Sequence, residues 1–479
     1  MKEKIVSDFK YYFLDIFIVS IVGYIFYIMM GRMLEPVDYG IMMTILGLYT
    51  ILSPLTSFGF NEALARFLPR YGSDRVKAHV YYALTRVVLF SAVVGLLIFF
   101  FSATIAETVY NNAFMANPLK IFALLLVIGS VSIVFKGTLQ GTKRFFSILM
   151  MDLFSQALRI VVPIVLIYYG YTVVSGLIGW VATFFTFDAI AIVYLWKRFS
   201  KYSPMAVDRE FFKYGISSAV FASALWLLVQ NSLLILGFVS MEEAGLFSVA
   251  LVFGQINLML PLIIIGVTLP YLSEFFSRRD NERAKRLSEL TLKNTFIILF
   301  PLSVFVIFFA KQIIYHIYNT TYLSAAAFFP PVMFAFMFLG LNMIMMNVLY
   351  SYGKHLTRIK YTVLSCILSI VYSLILVGIY GSIGVAYGFM LAQVVTLFLL
   401  AYACQRKTHI GFPRKILNAA PAMAVFLGLI YLVDLYYINF EYGIAFIAVA
   451  TLIYVALLYA FKTFDNDDFY LLKKMLGRN

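Results

Sequence analysis

The sequence has few charged residues: Asp, Glu, Lys and Arg make up only 13% of its 479 residues, against roughly 25% in soluble globular chains. Hydrophobic residues make up 63%, and the mean hydropathy is +0.92. This composition excludes a soluble globular domain and predicts a polytopic membrane protein, in which spanning helices occupy most of the chain.

Cysteine and histidine are also scarce, which removes several classes of site. The two cysteines, Cys366 and Cys404, lie in or beside apolar runs and match no metal or redox spacing. Four histidines are scattered over separate loops or helix ends: His79, His316, His355 and His409. We therefore predict no metal site, no cofactor and no catalytic nucleophile–base pair. No connection is long enough for a soluble catalytic or nucleotide-binding domain.

Apolar runs long enough to span a bilayer recur along the whole chain. A spanning helix needs about 20 mostly apolar residues, and the sequence contains fourteen such runs. They lie near residues 11–31, 40–60, 80–103, 118–136, 146–168, 172–196, 212–237, 245–271, 294–312, 325–350, 361–379, 383–403, 416–436 and 441–461. We predict an all-α polytopic fold of about fourteen transmembrane helices.

Lysine and arginine are distributed unequally between the two predicted sides. Short cytoplasmic loops carry an excess of these residues, and 32 of the 37 fall on the side of the two termini. We therefore expect a plasma-membrane protein with both termini in the cytoplasm. The net charge of +14 then reflects topology and attraction to anionic lipids, and predicts no binding of nucleic acid.

Two of the predicted cytoplasmic connections carry specific structural expectations. The connection near 136–145, which begins with Lys136, is expected to be a short loop. The stretch from Ser273 to Lys293 is basic and amphipathic, so we expect it to lie along the lipid headgroups. Arg86 and Arg159 are the two basic residues left inside predicted spans.

The chain resembles itself at an offset of about 203–205 residues. Phe9 to Phe17 aligns with Phe212 to Val220, and Glu35 to Ile45 aligns with Ser240 to Ala250. Each repeat contains six predicted spans, an even number, so both repeats enter the membrane from the same side. Parallel repeats of this kind surround a central substrate site in transporters.

The repeat defines the predicted organisation of the chain. Residues 1–205 form a first six-helix lobe and residues 206–408 a second one. Residues 409–479 add two further helices and a cytoplasmic tail.

The segment from Gly31 to Tyr71 carries a recognisable pattern. It contains Gly31-Arg32, an acidic-Pro turn, Tyr39-Gly40 and, after a span, Gly59 followed by Ala65-Arg66-Phe67. This pattern resembles the opening signature of the polysaccharide biosynthesis flippases of the multidrug/oligosaccharidyl-lipid/polysaccharide exporter superfamily.

The resemblance implies a transporter rather than an enzyme. Its substrate would be a polyprenyl-diphosphate-linked oligosaccharide, moved from the cytoplasmic to the outer leaflet by alternating access through a cationic cavity between two lobes. Expected partners are this substrate and membrane lipids, with glycan-assembly enzymes left open, and we expect a monomer. The alternatives are a cation-coupled drug or metabolite antiporter of the same superfamily and, less favoured, a membrane-embedded polymerase or glycosyltransferase.

An arginine lies deep in the fifth predicted span, in the segment MMDLFSQALRIVVPIV. Positions spaced i, i+4, i+7 and i+11 share one helix face, and here they are Asp152, Gln156, Arg159 and Pro163. An arginine at this depth costs at least about 2.5–3.5 kcal/mol, so Arg159 needs a partner. It either pairs with Asp152 or another helix's carboxylate or, as we favour, binds the anionic headgroup, because a guanidinium matches phosphate oxygens.

Three further arginines are candidates for the headgroup site. Arg32 and Arg66 match the family pattern and could form the exit and entrance rims of the cavity, although an ordinary helix-end cation is the alternative. Arg86 lies about two turns from the cytoplasmic end of its span, where snorkelling to the surface is the competing interpretation.

Carboxylates inside the spans are candidates for ion coupling. Asp15 and Asp188 are predicted to bind a proton or cation, or to pair with the arginines, and Asp152 belongs to the same group. Coupling to H⁺ or Na⁺ is therefore left open, with no bound cofactor expected.

Overall fold

All regular structure in the described part of the chain is helical. The computed structural model describes residues 2–199, 207–353, 355–411, 413–435, 440–461 and 463. By its contacts the chain divides into two compact units, Met1–Ser248 and Val249–Asn479. The predicted lobe boundary at 205/206 and the predicted C-terminal tail lie outside the described residues, and the lobe limits stay a prediction.

In its described residues the first unit contains nine complete helices and the start of a tenth. Two short 3₁₀ turns, Leu68–Arg70 and Ala113–Met115, connect some of them. The helices are α1 (Lys2–Met33), α2 (Pro36–Thr56), α3 (Phe60–Phe67), α4 (Ser73–Phe100), α5 (Ser102–Thr108), α6 (Ala116–Gly141), α7 (Phe145–Tyr168), α8 (Val173–Phe199), α9 (Arg209–Val239) and α10 (Met241–Ile256).

The second unit begins inside α10, at Val249. Its 3₁₀ segments are Thr320–Phe328 and Arg414–Ala419. Its helices are α11 (Met259–Ser277), α12 (Asn281–Phe308), α13 (Ala310–Ile317), α14 (Phe329–Ser351), α15 (His355–Tyr380), α16 (Ser382–Thr408), α17 (Ala420–Leu435) and α18 (Phe440–Ala460).

Twelve helical stretches of the described chain are long and apolar enough to cross a membrane, with α10 and α11 counted as one. They coincide in order with the first twelve predicted spans. Two shorter apolar helices, α17 and α18, coincide with the last two. The predicted all-α polytopic fold is confirmed, and the chain is a multi-pass membrane protein.

The structure adds two details to the predicted spans. The eighth predicted span lies in one membrane-crossing stretch, Met241–Ser277, in which the backbone leaves the helix at Asn257 and Leu258. The stretch Ser273 to Lys293 is helical except at residues 278–280, since α11 runs to Ser277 and α12 starts at Asn281, and its position along the lipid headgroups stays a prediction. Helix continuity is set by backbone hydrogen bonding, which a hydropathy pattern does not report.

Helix α2 packs closely against α9 and α10 within the first unit. A Cβ atom on Gly40 would lie 1.9 Å from the carbonyl oxygen of Met241. Near the other end of α2, a Cβ on Gly59 would lie 2.2 Å from the carbonyl oxygen of Gly215, and Gly59 also has a φ of +61°. Glycine at these places lets the backbones touch, as is common between membrane helices.

Candidate functional site

The polar stripe of α7 faces protein rather than lipid. Asp152, Gln156, Arg159 and Pro163 are all buried, which confirms that they share one face. The opposite side of α7 exposes large apolar residues such as Phe154 and Val161. An ionic side chain buried in a spanning helix faces the bundle interior because lipid offers it no hydrogen bonds.

Aromatic rings from two other helices surround the Arg159 guanidinium. Its central carbon lies 4.0 Å from the ring centroid of Trp180 on α8. From α1, the ring centroids of Phe26 and Tyr27 lie at 4.9 Å and 5.7 Å. Such contacts stabilise a cation by about 0.5–2 kcal/mol each. We call Arg159, Phe26, Tyr27 and Trp180 the arginine cage.

The arginine cage has more hydrogen-bond donors than acceptors. Arg159 Nη1 donates to Gln156 Oε1 at a long 3.5 Å. The guanidinium also donates to the Tyr27 hydroxyl and interacts electrostatically with the Tyr49 hydroxyl. Two neighbouring buried donors, Arg159 Nε and Trp180 Nε1, have no acceptor. Across the described residues Arg159 forms no ion pair, so it does not pair with Asp152.

The partner of Asp152 is a lysine that the sequence assigned to a loop. Lys136 lies inside α6, and its Nζ is 2.9 Å from Asp152 Oδ2. The same ammonium lies 5.0 Å from the ring centroid of Phe187 on α8. The expectation that Lys136 begins a cytoplasmic loop is wrong, because α6 continues to Gly141, five residues beyond the apolar run used to place its end.

The two other candidate carboxylates lie near this ion pair. Asp15 on α1 is buried and interacts electrostatically with both Asp152 and Lys136. Asp188 on α8 is also buried, and its Oδ1 accepts a 2.6 Å hydrogen bond from the Ser132 hydroxyl on α6. The structure thus brings together the three carboxylates named from the sequence.

The three remaining candidate arginines do not join this group. Arg32 is exposed in the last turn of α1. Arg66 is exposed on α3, a separate short helix after α2, and its guanidinium lies over the ring of Tyr214 at 4.4 Å. Arg86 is exposed on α4 beside Tyr82. No contact joins any of them to Arg159.

A further polar cluster lies outside the spans, where α4 and α9 begin. The Tyr71 hydroxyl donates a hydrogen bond to the Asp208 carboxylate. The Tyr71 ring stacks on the buried His79, with centroids 4.6 Å apart. Burial, the hydrogen bond to Asp208 and the charge of that carboxylate raise the pKa of Tyr71 to about 12. This cluster connects the loop before α4 to the start of α9.

Sequence reasoning missed Lys136, Ser132 and the rings around Arg159. Ser132 and Lys136 are spaced i, i+4 on α6, so they share a face, but this spacing is informative only once α6 extends past residue 136. Nothing in the sequence distinguished Phe26 and Trp180 from other aromatic residues, because aromatic residues make up 18% of the chain. Within the described ranges, no group of three His, Cys, Asp or Glu side chains is placed to hold a metal ion.

Comparison with known proteins places the chain in a family. A family model described as "Polysaccharide biosynthesis protein" matches residues 29–327, more than half of the chain and including the Gly31 to Tyr71 pattern. The chain belongs to the polysaccharide biosynthesis protein family. This match confirms the resemblance drawn from the sequence.

Relatives and solved structures extend the family assignment to the fold. An uncharacterized membrane protein of Methanocaldococcus jannaschii is 22% identical over 430 residues, which cover 83% of this polysaccharide biosynthesis family member and 84% of the relative. The lipid II flippase MurJ, in an inward closed conformation, superposes with a TM-score of 0.73 at 15% identity, covering 98% of this chain and 99% of MurJ.

A multidrug resistance MATE family transporter of the MOP superfamily has the same fold. In its inward-facing conformation it superposes with a TM-score of 0.65 at 15% identity, covering 81% of this chain and 95% of the transporter. The fold of this polysaccharide biosynthesis family member is therefore that of MOP-superfamily flippases and transporters. Its structural neighbours with a named activity are transporters, not enzymes.

Proposed function

We propose that this protein is a flippase that moves a polyprenyl-diphosphate-linked oligosaccharide from the cytoplasmic to the outer leaflet by alternating access. The arginine cage is the observation that carries the proposal. A cation held away from any carboxylate keeps its full charge for an anionic ligand, and Arg159 cannot lose that charge by deprotonation.

The geometry of the cage suits a diphosphate. Ring faces stabilise a guanidinium from above or below, whereas its N–H donors lie in its own plane. Arg159 Nε and Trp180 Nε1 are two buried donors without acceptors, and a buried donor left unpaired costs about 1–3 kcal/mol. Phosphate oxygens would satisfy both donors and neutralise the charge.

The exposed arginines form the remainder of the proposed path. Arg32, Arg66 and Arg86 lie toward the helix ends or outer faces, where they would meet the headgroup before or after it reaches Arg159. We place the protein in the cell membrane as a monomer with both termini in the cytoplasm. The expected partners are the lipid-linked oligosaccharide and membrane lipids.

A cation-coupled antiporter is the second candidate. The similarity to a MATE transporter favours it, as does the burial of Asp15 and Asp188. Against it, MurJ superposes on 98% of the chain and the MATE transporter on 81%, so the MurJ plan accounts for more of the molecule. Coupling of either transport mode to H⁺ or Na⁺ would use the buried carboxylates.

The proposal is tested with purified protein in vesicles that contain a labelled lipid-linked saccharide. Arg159→Ala should slow transbilayer transfer about 10- to 100-fold, since charge-assisted hydrogen bonds contribute about 1.5–3 kcal/mol. Arg159→Lys keeps the charge but loses the planar guanidinium with its several N–H donors, so its transfer rate should lie between those of wild type and Arg159→Ala. Trp180→Phe removes one donor and keeps the ring, so we expect a smaller loss. Each variant must remain folded and at normal levels.

Lys120→Ala is the matched control, because Lys120 is an exposed cation on α6 at the predicted outer surface. Normal flipping by folded Arg159→Ala would refute the role of the cage. If the wild-type protein accelerates transfer of no lipid-linked saccharide but exports a drug or metabolite against a cation gradient, the antiporter is the correct assignment.

A further inference from the structure

Four ionic side chains from four helices meet inside the first unit. Asp15 comes from α1, Lys136 from α6, Asp152 from α7 and Asp188 from α8, and we call them the carboxylate cluster. Lys136 forms an ion pair of 2.9 Å with Asp152 and acts electrostatically on Asp15 and Asp188. One ammonium group therefore interacts with three carboxylates.

The cluster is short of positive charge and of donors. The three carboxylates are 2–7% exposed, so water contributes little to their stabilisation. Asp188 receives a hydrogen bond from Ser132, whereas Asp15 Oδ1 is buried and has no hydrogen-bond partner. Buried carboxylates are tolerated in a membrane protein only when they are paired, protonated or bound to a cation.

We propose that Lys136 is a tethered cation that takes the place a free monovalent metal ion would otherwise fill, and that the cluster exchanges protons at Asp15. The ammonium sits on Asp152 Oδ2 at contact distance, so a sodium ion entering the cluster would meet an equal charge.

A proton would reduce the negative charge that Lys136 alone does not neutralise. When Asp15 takes up one proton from water, its carboxylate becomes a neutral acid that can donate to Asp152, and the cluster loses one negative charge. The other titratable groups that interact electrostatically with the cluster are Tyr12 on α1, beside Asp15, and Tyr49 on α2, beside Asp188. Arg159 on α7 interacts with Tyr49 and with none of the carboxylates. The assignment of the proton as coupling ion rests on the proposed function. The occupancy of the cluster by Lys136 is independent of that function.

The occupancy is tested without substrate, by thermal unfolding of the purified full chain in detergent. The Tm is compared in NaCl and in choline chloride at equal ionic strength, because a ligand that binds only the folded state raises Tm. We expect the wild-type Tm to be the same in both salts. Lys136→Gln should lower the Tm in choline and recover several degrees in NaCl, as sodium replaces the missing ammonium.

Two further variants complete the test. The double variant Lys136→Gln, Asp152→Asn removes both charges of the pair, so it should be more stable than Lys136→Gln and indifferent to sodium. Lys120→Gln, on the exposed face of the same helix, should behave as wild type. A sodium-dependent rise in the wild-type Tm, or a Lys136→Gln protein as stable as wild type in choline, would overturn the proposal.

If Lys136→Gln does not fold, recovery of folding in the double variant supports the pairing. If neither folds, the wild-type comparison alone decides. Proton exchange is read separately, from uptake of protons into vesicles during transport in wild type and Asp15→Asn. We expect proton uptake by wild type and its loss in Asp15→Asn. A wild-type protein that flips without proton uptake, or an Asp15→Asn protein with wild-type uptake, would refute proton exchange at Asp15 and leave the proposed function intact. A wild-type protein that flips no lipid-linked saccharide would count against the proposed function.

Discussion

At the scale of single residues, two basic side chains inside spanning helices have opposite surroundings. Arg159 lies among aromatic rings without a carboxylate, whereas Lys136 holds Asp152 at 2.9 Å. The sequence identified Arg159 because a charge in mid-span is rare. It could not identify Lys136, because Lys136 lies at the predicted end of a span, where basic residues are common. Only the structure shows that the helix continues past Lys136 and that its side chain is paired with Asp152.

A residue-scale prediction concerns Tyr71, which lies outside the spans. The Tyr71 pKa of about 12 depends on burial and on Asp208, against about 10 for an ordinary tyrosine. Asp208→Asn removes the carboxylate charge, so the Tyr71 pKa should fall toward 10. Tyrosines labelled with ¹³C at Cζ and titrated by NMR would report it, with Tyr71→Phe to identify the signal.

The control for this titration is Asp74→Asn. Asp74 pairs with Lys77 rather than with Tyr71, so its loss should leave the Tyr71 titration in place; an unchanged midpoint in Asp208→Asn would contradict the prediction. Because folding raises the Tyr71 pKa, its contribution to stability is complete below pH 10 and is lost as pH rises to about 12.

At the scale of elements, the sequence predicted where helices lie better than where they end. Hydropathy located the twelve membrane-crossing stretches and the two shorter apolar helices of the described chain, because a span must be long and apolar to lie in lipid. It missed the interruption at Asn257, whose amide donates to Ser303 and to the Met333 carbonyl. Those partners lie 46 and 76 residues away, so a local pattern contains no information about them.

The turn between α15 and α16 provides an element-scale prediction. Gly381 has φ +64° and ψ −151°, a region that only glycine occupies without strain, so Gly381→Ala should cost about 1–3 kcal/mol of stability. Gly378, one turn earlier inside α15, has open space where a Cβ would be. Gly378→Ala should therefore be neutral or slightly stabilising.

Thermal and denaturant unfolding of the two glycine variants in detergent would compare them directly. Equal stability of Gly381→Ala and Gly378→Ala would show that the backbone at this turn relaxes into an ordinary conformation.

At the scale of the whole molecule, the repeat seen in the sequence reappears as matching local structure in the two units. In the first, α5 and a 3₁₀ turn at Ala113–Met115 precede the fourth span; in the second, α13 and the 3₁₀ segment Thr320–Phe328 precede the tenth. The sequences of the two segments, Glu107 to Pro118 and Tyr315 to Ala326, have few residues in common, so the local geometry is more similar than the residues that form it.

A parallel repeat predicts which surfaces of the molecule face the same side of the membrane. Glu107→Cys and Thr321→Cys, both at exposed positions after an odd-numbered span, should react with an impermeant maleimide in intact cells. Asp74→Cys and Lys285→Cys should react only after permeabilisation. The native cysteines are buried, so the protein without an added cysteine should not react and serves as the background control. Reaction of Glu107→Cys and Thr321→Cys from opposite sides would mean inverted halves.

The ion pair between α6 and α7 also bears on how the chain enters the membrane during synthesis. The two helices are joined by only three residues, 142–144, and Lys136 is made before Asp152. A lone charge is costly to insert into a bilayer, but when the hairpin enters as a unit, the carboxylate arrives beside an ammonium already present. Arg159 has no carboxylate partner in the hairpin; Phe26 and Tyr27 of α1 are synthesised before it, whereas Trp180 of α8, the ring that lies 4.0 Å from it, is synthesised afterwards. The hairpin therefore enters the bilayer with Lys136 and Asp152 paired and with the cage around Arg159 still lacking its α8 ring.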